Sequence, residues 1–148
     1  LIALLAAGPA AAEESWTSAG VNDCDGRAYA DFIEEPWDQK SRTFADGAIR
    51  VALMDFVEPA AAAYLLLVLS PPYDEVGLRQ CRLIEMPGGH GYGAMDFAAL
   101  QAGYDPQTGL TLSLPAKMPS PDGGDDGWFQ LSVRIDQQTG RIVTTGAK

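Results

Sequence analysis

The chain has 148 residues, enough for one domain, and its 47% apolar content is sufficient for a real core. The formal charge is -10 with a pI near 4.3, and the ten Lys and Arg residues are scattered singly. That pattern argues against nucleic acid or an anionic membrane surface as the main partner, because a phosphate backbone rewards clustered bases. The acid load is read as keeping an exported protein soluble, the alternative being attraction of a cationic partner or a metal.

Residues 1–12 read as the tail of a signal-peptide apolar region. Ala10-Ala11-Ala12 gives the small-x-small pattern that a signal peptidase accepts, and Glu13 and Glu14 follow directly. The stretch is far short of the ~20 residues needed to span a bilayer, so no membrane span is expected. The alternative is a buried N-terminal helix or strand. The domain expectation is therefore a residual signal-peptide segment at 1–12 and a single β domain at 13–148, placed in a periplasm or secreted.

Export gives Cys24 and Cys81 their meaning. Two cysteines in an oxidising compartment read as one disulfide, here between residues 57 positions apart. The segment 15–39 has a poor pattern and is the part expected to need that bond. Asn22-Asp23-Cys24-Asp25-Gly26 is turn chemistry, and 28–34 suits a short strand or a helical turn before Pro36.

Asp46-Gly47 is a hairpin signal. Beyond it Ile49, Val51 and Leu53 alternate with Arg50, Ala52 and Met54, which suits a strand with one wetter face. Over 58–63 a helix start competes with a turn. We expect a turn over the alanines and then a central strand at 64–69, because that apolar run stops at Ser70-Pro71-Pro72. A polar loop at 71–77, a strand at 78–86 and a glycine-dense loop at 88–93 follow. Another long exposed loop covers 115–127.

Asp105-Pro106-Gln107-Thr108-Gly109 recurs as Asp136-Gln137-Gln138-Thr139-Gly140. Each copy separates two runs that fit strands, 95–104 from 110–114 and 128–135 from 141–144. Aspartate at the head of such a loop accepts bonds from amides two residues on, and the closing glycine takes the left-handed conformation of a bulge-closed hairpin. The expected fold is all-β: an antiparallel β-sandwich or small partly open barrel of about seven or eight strands, with an irregular N-terminal segment. Its core is expected to contain Ile49, Val51, Leu53, Leu65, Leu67, Leu83, Phe97, Leu112, Leu131 and Val133.

The chemistry is sparse, and no catalytic residue is assigned. His90 is the single histidine, which removes any two-histidine metal site. No serine stands in a Gly-x-Ser-x-Gly elbow for it to serve, and no Cys-x-x-Cys pair exists. Gly89-x-Gly91-x-x-Ala94 matches a dinucleotide fingerprint only formally, since a hairpin and not a helix follows. Asp122, Asp125 and Asp126 could hold calcium, although their order fails the EF-hand pattern; no other cofactor is expected.

Tyr73, Tyr92 and Trp128 lie in or beside loops and, with His90, are read as a surface for a ligand or partner, the alternatives being that each large ring caps the core and that the histidine is simply exposed. The leading expectation is an exported, non-enzymatic β domain that recognises a protein or small ligand through its loops at 71–77, 88–93 and 119–127. Two rivals are a small periplasmic hydrolase using paired carboxylates and an envelope assembly subunit that pairs through a sheet edge.

Overall fold

The computed structural model describes residues 15–148, so the signal-peptide reading of 1–12 lies outside the described residues. The strands are β1 (Val21–Asp23), β2 (Ser41–Phe44), β3 (Ile49–Asp55), β4 (Tyr64–Tyr73), β5 (Arg79–Ile84), β6 (Ala94–Met95), β7 (Gln101–Asp105), β8 (Gly109–Lys117), β9 (Trp128–Ile135) and β10 (Ile142–Ala147). They form two five-stranded antiparallel sheets, one in the order β1-β5-β4-β3-β2, the other β10-β9-β8-β6 with β7 also on β8. Both sheets are open, so the fold is a sandwich and not a barrel.

Both repeated turns form as expected. Asp105 Oδ1 accepts from the amides of Gln107 and Thr108, and Asp136 Oδ1 accepts from those of Gln138 and Thr139. The turns close the β7–β8 and β9–β10 hairpins side by side at one end of their sheet. Gly109 has φ +89°, and a Cβ there would collide with the carbonyl oxygen of Ile135. Gly47, in the β2–β3 turn, has φ +85° but open space around it. Gly109→Ala is therefore expected to cost about 3 kcal/mol and Gly47→Ala only about 1, as read by urea unfolding. Equal costs would mean that backbone conformation alone matters at both sites.

All ten expected core residues are buried, but they belong to two layers. Ile49, Val51, Leu53, Phe97, Leu112, Leu131 and Val133 fill the space between the sheets, joined by Leu66, Val68 and Ile84. Leu65, Leu67 and Leu83 point the other way, with Ala52 and Met54, toward Phe32, Ile33, Phe56 and the cysteines. The central sheet is thus covered on both faces at β3, β4 and β5. The wetter face expected on β3 holds at exposed Arg50 and fails at Ala52 and Met54, which pack into the outer cluster with Phe32, Ile33 and Phe56.

Other differences are local. Asn22 and Asp23 belong to β1, not to a turn, because they pair with Leu83 and Arg82; the turn follows at Cys24, whose carbonyl accepts from the Arg27 amide. Residues 30–32 form a 3-10 turn. Pro71 and Pro72 lie inside β4, at a register shift between Ser70 and Tyr73 where their missing N–H groups leave no gap in a regular ladder. That shrinks the expected loop to a tight turn in which Asp74 Oδ1 accepts from the amides of Val76 and Leu78. The run 95–104 is broken by a 3-10 turn at Phe97–Ala99, capped by Asp96. Together with three-residue β1, this break raises the strand count to ten. Pro115 lies within β8, so the long loop begins only after Lys117.

Candidate functional site

Tyr64 opens β4 and exchanges two backbone hydrogen bonds with Tyr92, 3.1 and 2.7 Å long. This places the connection at 88–93 against one end of the sandwich. Gly91 lies so close to the Ala62 carbonyl that no side chain fits between them. Tyr92 is in consequence 3% exposed, packed near Phe129 with its hydroxyl donating to the Glu85 carbonyl. Its ring caps the core, the alternative that the sequence left open, and one side of it lines a groove at that end. Burial, and then the nearby Glu85 charge, raise its phenol well above the ordinary tyrosine value.

His90 is exposed at the same end, beside the pairing of its carbonyl with the Met86 amide. Trp128, 44% exposed, starts β9 opposite Lys117 and also lies there. Tyr73 does not: it ends β4, far from Tyr64, with Arg79 lying over its ring. Three of the four expected surface residues therefore share an end, and one of those three is buried. Asp122, Asp125 and Asp126 are exposed on the loop before Trp128. Among the described residues no three acidic, histidine or cysteine side chains converge to hold a metal.

At the Tyr92 end a groove of about 330 Å³ is lined by Met86, Pro87, Tyr92, Met118, Phe129 and Thr145. It joins the flank of the loop at 88–93 to the first residue of the loop at 118–127. One bank is the N-terminal strand residue Thr17, which exchanges two backbone bonds with Thr144 on the outer edge of β10. The groove's apolar lining comes from two thioethers and two rings, groups that adapt to varied apolar shapes.

Two other concavities differ in character. A groove of about 580 Å³ crosses the outer face of β2, β3 and β4, floored by Ala52, Leu67 and Leu69 beside Arg50. The other, about 600 Å³, holds Glu85, Arg27, Asn22, Asp25 and the glycines at 88 and 89. Glu85 is 3% exposed and accepts from both terminal nitrogens of Arg27 (3.2 and 3.1 Å) and from the Asn22 amide (2.6 Å). The hydrogen bond to Glu85 raises Arg27 above its ordinary value. Both carboxylate oxygens of Glu85 are thus occupied, which suits a structural pair better than proton transfer.

Cys24 and Cys81 are joined, tying the N-terminal layer to β5. No helix among the described residues is long and apolar enough to cross a membrane. The class of protein defined by these features is a disulfide-stapled antiparallel β-sandwich with an added outer layer and an open groove at one end. Compared with known proteins, the chain matches no protein-family model, no curated protein and no solved structure.

Sequence reasoning missed Glu85, Arg27 and Asn22. The available signal was a charged residue set inside the apolar run Leu83-Ile84-Glu85-Met86, a place where an unpaired charge is costly.

Proposed function

We propose that this is an exported, non-enzymatic binding module that captures an apolar segment of a partner protein in the groove between Met86, Met118 and Phe129. The observation that carries the reading is an apolar concavity where Tyr92, of the expected loop at 88–93, meets Met118, which adjoins the expected loop at 119–127. A groove of this size takes one or two side chains, and its two thioethers and two rings suit the apolar anchors of a protein segment. The disulfide supports export, since such bonds persist in oxidising compartments. The loop at 71–77 drops out of the site, because its residues sit at the opposite end.

Peptides selected from a random library against the folded protein are expected to carry a large apolar anchor. Their affinity falls roughly tenfold or more with Met118→Lys, a change at an exposed position that leaves the melting temperature in place. Peptides that bind Met118→Lys as tightly as the parent protein overturn the reading, and so does a library that yields no binder.

A further inference from the structure

The two repeated turns line a further groove, at the end of the sandwich away from Tyr92. It encloses about 210 Å³ and is formed by Trp16, Gln107, Thr108, Arg134, Asp136 and Arg141 over the side chain of Val143. The Arg134 guanidinium carbon lies 3.9 Å from the centroid of the Trp16 ring. Such stacking fixes the guanidinium plane while leaving its in-plane donors free to meet an acceptor. The Nε–H is buried without a hydrogen-bond partner among the described residues.

Arg141, on the neighbouring strand connection, is exposed and lines the same groove. Among the described residues neither arginine forms an ion pair. Asp136 is at hand but already engaged. Its Oδ2 accepts from Thr139 Oγ1 at 2.8 Å and its Oδ1 from the Gln138 and Thr139 amides at 2.9 and 3.3 Å. Those bonds, the Thr139 hydroxyl first, hold its carboxyl below the ordinary value. In a chain with 20 acidic and 10 basic residues, two arginines line one groove and, among the described residues, neither is paired with a carboxylate.

We propose that this groove binds an organic carboxylate. The Arg134 and Arg141 donors take the oxygens, Thr108 and Gln107 add hydrogen-bonding groups at the rim, and the hydrocarbon part rests on Trp16 and Val143. The site is separate from the Met86–Phe129 groove, so either can fail without the other.

The test uses the three tryptophans, of which Trp37 and Trp128 are replaced by Phe to leave Trp16 as the reporter. Succinate is expected to change Trp16 emission saturably, and Arg134→Gln and Arg141→Gln are each expected to weaken it roughly tenfold. Arg141 is exposed, so that variant folds normally and decides the matter even if Arg134→Gln does not fold. A short aspartate-rich peptide run beside succinate separates a protein-borne carboxylate from a free small acid, the tighter binder naming the source.

No saturable change, or a change that survives both substitutions, overturns the proposal. Inorganic phosphate binding as tightly as succinate overturns the carboxylate assignment. Glu13 and Glu14 immediately precede this segment in the sequence. Unchanged succinate affinity in E13Q/E14Q is the expected result, and binding seen only in that variant would mean that the chain's own acids fill the site.

Discussion

Replacing Cys24 and Cys81 together by alanine lowers the unfolding free energy by about 4 kcal/mol and the melting temperature by roughly 10–15 °C. The size follows from the 57-residue span that the bond closes, since the unfolded chain regains the freedom of a long loop. Alanine is chosen because Cys24 is buried, and a serine there would strand a hydroxyl. The loss falls unevenly across the molecule. The layer between the sheets contains neither cysteine, whereas the outer cluster of Ala52, Met54, Leu65, Leu67 and Leu83 is closed by Cys24 and by partly buried Phe32, Ile33 and Phe56. Far-UV circular dichroism of the variant should therefore keep its β signal at room temperature. Hydrogen exchange should accelerate first in 24–40 and along the outer face of β4 and β5. A variant that melts with the parent protein would show that burial of Phe32 and Ile33 alone holds the outer layer in place.

That uneven distribution explains what could and could not be read from the chain. The turns at Asp105 and Asp136 were legible because their bonds run between residues two or three apart, so five letters contain the whole structure. The disulfide was legible from redox chemistry and from there being two cysteines to pair. Burial of Leu65 and Leu67 was legible as well, but not which layer they enter. Residues 65–69 are apolar throughout, and a strand covered on both faces carries no alternation to say which side meets the second sheet. The cover for the outer face comes from the patternless segment around Phe32, a contact between positions far apart in sequence.

The same kind of contact decides the site residues. Tyr92 has glycine on either side, which reads as an exposed loop. Gly91 instead lets the backbone press against Ala62, and that carries Tyr92 inward. Trp16 and Arg134 meet across more than a hundred positions, and no local pattern marks either one.

Arg27→Met is expected to destabilise the protein by about 2 kcal/mol, while the double variant Arg27→Met, Glu85→Leu returns to within about 1 kcal/mol of the parent. Removing one partner leaves a carboxylate that is 3% exposed without its cation, normally a loss of about 3–5 kcal/mol. The Arg27 side chain is 39% exposed, so water already screens part of the attraction and the smaller figure applies. Replacing both charges removes the desolvation penalty along with the attraction, which is why the double variant recovers. Asn22, exposed on β1, loses an acceptor but can turn to water. A four-protein cycle by urea unfolding reads the coupling directly. The Glu85 amide also donates to the Gly20 carbonyl, and its carbonyl receives the Tyr92 hydroxyl. The pair thus fastens the N-terminal strand to the wall of the Met86–Phe129 groove, and Arg27→Met should weaken peptide capture there while the double variant restores it. A double variant as unstable as the sum of its single changes would mean that the two charges are not coupled, and one well below the parent yet short of that sum would mean that the ion pair contributes more than the charges cost to bury.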